Sequence, residues 1–313
     1  MGKPDAPTPA VGLEFSMELS EGLTSRPLTL DDAQAVTDVM AADEVAAIGE
    51  AQIELADIVS DWQRPSFDIG ASTVGVFDGD RLVGYAEHGG HDRAEASVHP
   101  DRQGRGIGTW LVGWIHEHAR AAGVRAVGQS VPQGSAADRL LEAMGFRVRW
   151  TSWLLALPEG ADIPARALPD GFRLRTATAD DHRAAWKVAE DAFLEWSERE
   201  REPFGDFVAK VVRRPGFEPW HLRVVVDAGD QVVAVSSMVL DGPCGYVDRL
   251  AVRGDERGRG LAQALLADSF TAAREHGATR CELNTDSRTG ALSLYEKVGM
   301  VVTSTWVNRA VDL

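Results

Sequence analysis

The phrase DERGRGLAQALL at residues 255–266 has a near twin, DRQGRGIGTWLV, at residues 101–112. Gly104, Arg105, Gly106 and Gly145 recur 154 residues later as Gly258, Arg259, Gly260 and Gly299. Earlier features recur at shorter offsets: Asp31-Asp32 match Asp180-Asp181 at 149, and Gly79-Asp80 match Gly229-Asp230 at 150. A period this long is a duplicated domain rather than a solenoid repeat. The growing offset places extra residues of the second copy ahead of its glycine-rich stretch. Between the copies, a segment with three prolines, two glycines and no apolar period reads as a linker. The expected organisation is a tail over 1–22, a first domain over 23–157, a linker over 158–170 and a second domain over 171–313.

Both copies carry the same order of elements. An Asp-Asp pair sits where acidic residues favour a helix start, at residue 30 onward and at 179 onward. A second helical stretch follows (53–62 and 207–212). A hairpin then turns on Gly-Asp, pairing 73–77 with 82–86 and 222–226 with 232–239. A further strand (94–98; 246–252) runs into the glycine-arginine loop and a long amphipathic helix (107–122; 261–276). Another strand (125–131; 280–285), a short helix and a last strand (146–157; 300–311) complete each copy. The fold class is therefore α/β with a mixed, mostly antiparallel sheet flanked by helices, built twice.

A strand that ends in glycines and opens a helix presents unpaired N–H groups at the positive helix end, a site for phosphate. Glycine lets the backbone approach the anion, and arginine adds charge at the rim. GxxxxGK[ST] is absent, which argues against a P-loop. Gly104, Gly106 and Gly108 give only GxGxG, one spacing short of the dinucleotide fingerprint and following an antiparallel hairpin. The formal net charge of −16 argues against nucleic acid as a partner. It is shared unevenly, with 12 basic and 23 acidic residues up to 156 and 20 and 25 beyond. Such a surface suits a cationic or amine-bearing small molecule, and serves solubility equally well. No run is apolar and long enough for a membrane span, and the first residues lack the plan of a signal peptide. Only Cys244 and Cys281 are present, so no disulfide framework or metal cluster is expected, and a reducing cytoplasm is.

At these residues the chain resembles the GNAT acetyltransferases. Gln103-x-x-Gly106-x-Gly108 and Arg257-x-x-Gly260-x-Ala262 match that family's acetyl-CoA loop, and ALSLYEKVGM at 291–300 looks like its ALxLYEKxGF signature. The tandem layout is similar to that of the mycothiol synthases, although their Asp-Asn pair before the tyrosine helix reads Ser287-Arg288 here. The resemblance implies direct acyl transfer from coenzyme A to an amine. Backbone amides of Arg257, Gly258, Arg259, Gly260, Leu261 and Ala262 would hold the pyrophosphate, and the edge of Leu250, Ala251 and Val252 would pair with pantetheine. In the first copy the matching positions are Val98, Gln103, Gly104, Arg105, Gly106, Ile107 and Gly108.

The resemblance also implies that Tyr295 is the general acid for the departing thiolate, since a phenol of pKa ~10 can protonate a thiolate whose conjugate acid lies near ~8.5. Three bases are open: Asp248 on the strand entering the loop, Glu195 in the helical region that lines the acceptor pocket in the family, and a water chain. The 154 offset sets Leu141 against Tyr295 and Ala94 against Asp248. The first copy is therefore expected to bind coenzyme A weakly or structurally without catalysing, or to form part of the acceptor cleft. Against the enzyme stands a non-catalytic coenzyme A sensor or scaffold. A protein acetyltransferase acting on lysine or an N-terminus is also open, as is a monomer or a homodimer.

Overall fold

The structure is a computed structural model that describes residues 18–313; most of the expected N-terminal tail lies outside the described residues. A four-stranded antiparallel sheet takes β1 (Leu23–Arg26), β2 (Thr73–Asp78), β3 (Arg81–His88) and β4 (Ala94–Val98) in that order. The remaining strands are β5 (Ala126–Pro132), β6 (Arg147–Ala156), β7 (Arg173–Thr176), β8 (Leu222–Val226), β9 (Val232–Asp241), β10 (Cys244–Val252), β11 (Arg280–Asp286) and β12 (Val301–Asp312). They form one eight-stranded sheet in the order β5-β12-β6-β11-β10-β9-β8-β7. Only β10 and β11 pair in parallel within it.

Helices cover these sheets: α1 (Ala33–Ile48), α2 (Leu55–Trp62), α3 (Ile69–Ser72), α4 (Ile107–Ala121) and α5 (Ala136–Ala143) in the first half. The second half has α6 (His182–Phe193), α7 (Phe204–Phe207), α8 (Leu261–Glu275) and α9 (Leu292–Lys297). The mixed α/β class with helix-flanked sheets is the one read from the sequence. None of the helices among the described residues is long and apolar enough to cross a membrane.

The order of the large sheet reveals a feature the repeat did not. The last strands are exchanged between the halves: β6 leaves the first half to pair with β11, and β12 returns to pair with β5. β6 and β12 also pair with each other from Val301↔Ala156 to Ala310↔Arg147. The exchange reaches the cores. Leu155 and Leu157 of the first half share a buried cluster with Leu283, Phe270 and Tyr295 of the second. Val307 joins Val112, Leu141 and Phe146 in return. Fully burying one such side chain is worth about 1.5–3 kcal/mol, so the two halves stabilise each other.

One local device is built twice, as expected of a duplication. Thr29 and Asp32 form a capping box at the entry to α1, and Arg26 binds both Asp32 oxygens at 2.7 and 2.9 Å. Thr178, Asp181 and Arg175 repeat it before α6, with contacts of 2.6 and 3.0 Å. The guanidinium beside it and the Thr29 amide hold the Asp32 carboxyl down at about 2, against the cost of its partial burial. Asp181 is lowered for the same reasons.

Candidate active site

In the second half, β10 and β11 begin together and then part. Their parallel pairs run from Cys244↔Arg280 to Val247↔Leu283 and stop there. Beyond that point β10 stays on β9 as far as Val252↔Ala234, while β11 stays on β6 as far as Asp286↔Ser152. A wedge is left between them, with the backbone edge of Leu250, Ala251 and Val252 along one side. The register of β10 against β9 slips between Val247 and Arg249, so Asp248 is the extra residue of a β-bulge. Bulges bend the strand that carries them and re-aim its side chains, and this one lies where the wedge opens.

At the far end of β10 the chain reaches the glycine-arginine loop. Gly260 stands in the left-handed region at φ +83° and opens α8, whose first turn has no side-chain cap. The first N–H groups of the helix therefore have no partner within it, and the helix dipole adds positive potential there. A cradle for a diphosphate followed by a wedge with a free strand edge fits coenzyme A, whose pantetheine amides can extend a sheet. Arg257 and Glu195 support this loop. Arg257 donates to Val252 O at 3.2 Å and to both Glu195 oxygens at 2.6 and 2.8 Å. The first half uses different residue types in the same arrangement: Gln103 donates to Val98 O at 3.3 Å and to Asp43 at 3.0 Å. Glu195 thus buttresses the cradle through Arg257.

Tyr295 projects from α9 into the buried cluster that contains Leu266, Phe270 and Val298. Burial alone pushes its phenol up to about 12, so the proton stays on the oxygen throughout the ordinary pH range. Asp248 has a half-exposed side chain, contacts Arg249 Nε at 3.2 Å and lines a cavity of about 440 Å³ between the halves. Tyr246 borders the same space, its hydroxyl proton held tightly by burial and by the charge of Asp248. Arg288, one of the two residues that depart from the mycothiol synthase pattern, lies 3.6 Å over the Trp150 ring and 4.8 Å over Trp196. It is held there by Asp286 at 2.6 Å.

The cavity wall includes residues that no motif marked. From the first half come Asp57 and Asp61 of α2, Glu87 of β3 and Glu95 of β4. Lys210 and Arg214 of the second half face them. Arg214 bonds Glu54 and reaches Asp57 at 2.8 Å, while Lys210 pairs with Glu202. Glu95 is surface-accessible on the cavity side, and burial together with the neighbouring Glu87 raises it well above the ordinary carboxylate range. The spacing of 57 and 61, one helical turn apart beside Trp62, was the one available signal of a polar face pointing inward.

The first half keeps the cradle and lacks the rest. Gly106 repeats the left-handed conformation at φ +82° and opens α4, again without a side-chain cap. β4, however, pairs with β3 in unbroken register. Aligned on the strands, Ala94 corresponds to Val247, and Asp248 has no counterpart at all; the constant 154 offset conceals this. Between β4 and β5 there is a single parallel bridge, Arg93↔Gly128. The Gln129 side chain then crosses the gap to donate to Ala96 O at 2.7 Å. Leu141, at the place of Tyr295, is 2% exposed and packs in the core.

Comparison with known proteins agrees with this geometry. The model of the acetyltransferase (GNAT) family matches residues 176–300, and a second model, an acetyltransferase (GNAT) domain, matches residues 70–148. A mycothiol acetyltransferase of Thermobispora bispora is 31% identical over 241 residues, covering 74% of this chain and 80% of the relative. The chain belongs to the GNAT acetyltransferase family. A second mycothiol acetyltransferase, from Salinispora arenicola, is 31% identical over 249 residues, covering 75% of this chain and 80% of the relative. Among solved structures, a GCN5-related N-acetyltransferase from Sphaerobacter thermophilus superposes with a TM-score of 0.73 at 26% identity, covering 94% of this chain and 97% of that one. A tandem GNAT protein from the clavulanic acid biosynthesis pathway shares the fold, with a TM-score of 0.70 at 19% identity over 93% and 98% of the two chains. This GNAT chain is thus a tandem acyltransferase.

Proposed function

We propose that the second half transfers an acetyl group from acetyl-CoA to an amine of a small polar molecule held in the cavity between the halves. The observation that carries this reading is the bulge. It sets Asp248 at the opening of the wedge and on the wall of the inter-half cavity, so donor and acceptor approach one point from opposite sides. The thioester supplies the activated acyl carbon. Asp248 accepts the proton that the amine must lose, and a backbone N–H of the free β10 edge donates to the carbonyl oxygen as charge develops. Tyr295 donates a hydrogen bond to the departing sulfur. With its phenol near 12 and the thiol near ~8.5, complete transfer from Tyr295 is uphill, so it stabilises the thiolate while the proton lost by nitrogen completes the balance. The products are the amide and the free thiol.

A cavity walled by both halves favours a small acceptor over a protein lysine or N-terminus. The carboxylates Asp57 and Asp61 suit an acceptor that carries positive charge, Glu95, which stays protonated at neutral pH, can donate a hydrogen bond to it, and Lys210 and Arg214 suit hydroxyl or carboxylate groups on the same molecule. Because the relatives are mycothiol acetyltransferases, the first acceptor to offer is mycothiol lacking its acetyl group. Ser287-Arg288, standing where the mycothiol synthases carry Asp-Asn, argue for a related acceptor that is not identical. The test is thiol release from acetyl-CoA across a panel containing that amine, aminoglycosides, polyamines and lysine peptides. Release with one small-amine class is expected. Release only with peptides would refute the small acceptor, and coenzyme A binding without turnover on any amine would refute the reaction.

A further inference from the structure

The segment between the halves does more than span them. No helix or strand interrupts it from Ala156 to Arg173, yet it is pinned along α8. Arg274 reaches Ala161 O at 2.6 Å, Ile163 is buried in the core that contains Phe270, and Gln263 donates to Pro164 O at 2.7 Å. Passing from the C-terminal turns of α8 toward its start, these anchors deliver Arg166 onto the glycine-arginine loop. Its guanidinium lies against the Gly260 Cα so closely that a Cβ there would overlap Nε and stand 3.0 Å from Cζ.

That position is electrostatically incomplete. The start of α8 already carries positive potential. Arg257 is tied to Glu195, and Arg259 is paired with Glu256 at 3.2 Å. Arg166 makes no hydrogen bond or ion pair among the described residues, and its guanidinium is exposed over the uncapped first turn. A cation held against like potential by anchored backbone is what an arriving dianion would neutralise, since guanidinium and helix amides can bind the same phosphate oxygens. The first half lacks this arrangement: a Cβ at Gly106 would meet nothing within 4 Å.

We infer that Arg166, supplied by the segment between the halves, is a contact for the coenzyme A diphosphate at the second cradle. This rests on the cofactor reading given under Proposed function. The experiment is calorimetric titration of the full chain and its Arg166→Ala and Arg166→Lys variants with coenzyme A and with S-acetyl-pantetheine, which has the same arm and no phosphate. A charge-assisted contact predicts coenzyme A binding at least about tenfold weaker in Arg166→Ala and partly restored in Arg166→Lys, with acetyl-pantetheine unchanged. Equal weakening toward both ligands would mean that the change acts through linker packing, and would overturn the contact. So would unchanged binding, while tighter binding would make Arg166 an obstruction. Wild-type protein that binds no coenzyme A would overturn the cofactor reading itself, an outcome distinct from a variant that matches a binding-competent wild type.

Discussion

The two halves hold the same anion cradle and differ in what surrounds it. Gly106 and Gly260 adopt the same left-handed conformation at φ +82° and +83°, and each opens a helix without a side-chain cap. Gln103 with Asp43 and Arg257 with Glu195 support the two loops in the same way. Only the second half has a bulge in the strand that leads to the loop, a tyrosine on the following short helix, and a cation from elsewhere laid over the cradle. In the first half an unbroken strand, Leu141 and the Gln129 bridge stand at the corresponding places. A duplicated fold can thus keep the part that binds while the part proposed to react resides in one added strand residue and one hydroxyl. On the proposed reading, the first half serves as scaffold and as a wall of the acceptor cavity.

The largest effect expected from breaking this relationship comes from separating the halves. Leu154 and Leu155, at 3% and 0% exposure, and Val307, at 3%, would all reach water. At about 1.5–3 kcal/mol each, with the lost β6 and β12 ladders added, this approaches the entire 5–15 kcal/mol by which a domain is stable. Residues 18–157 and 158–313 expressed apart should be unfolded by circular dichroism and should recover a folded signal when coexpressed. Two independently folded halves would contradict the exchanged strands.

Tyr295→Phe comes next, lowering kcat for acetyl transfer by about 10- to 100-fold with coenzyme A affinity within about twofold. Leu141→Tyr, its mirror image, should create no activity in a Tyr295→Phe background, because the first half has no bulged carboxylate. Rescue there would show that the hydroxyl alone distinguishes the halves. Glu195→Gln should act more gently, raising the KM for acetyl-CoA several-fold through a loosened Arg257 while kcat holds. A fall in kcat with KM unchanged would return Glu195 to the list of bases.

The smallest effect concerns the repeated helix entry. Asp32 is held near 2, below its unfolded value of about 3.9, so its pair with Arg26 stabilises the fold above the unfolded pKa and loses that contribution as pH falls through about 2. Arg26 is half-exposed, and solvent screening limits the pair to under about 1 kcal/mol. Asp32→Asn should lower Tm by a few degrees at most at pH 7, and the difference should shrink steadily as pH falls toward 2. A difference that persisted in acid would assign the effect to the capping hydrogen bonds instead.

Much of this was legible in the sequence because local signals agreed with one another. The predicted strand at 94–98 coincides with Ala94–Val98, and the helices after the two loops end within one residue of those observed, Ile107–Ala121 and Leu261–Glu275. The exchange of β6 and β12 was not legible, since an apolar strand does not encode which equivalent neighbour it will pair with. The bulge escaped because an offset fixed on glycines counts residues and not hydrogen bonds, so Asp248 was matched to Ala94 when it has no partner. Arg166 escaped because its segment reads as a spacer in composition, and only the anchors to Gln263 and Arg274 turn it toward Gly260. The cavity carboxylates Glu87 and Glu95 lie on different strands of one half, facing residues of the other, and no local pattern joins them.

The most direct test of where the chemistry lies is a pair of cradle variants, Gly106→Trp and Gly260→Trp, assayed for acetyl transfer after circular dichroism has established that both are folded. Gly260→Trp should abolish transfer, and Gly106→Trp should retain it to within a few-fold. Transfer that survives in Gly260→Trp and disappears in Gly106→Trp would place the reaction in the first half and contradict the central claim.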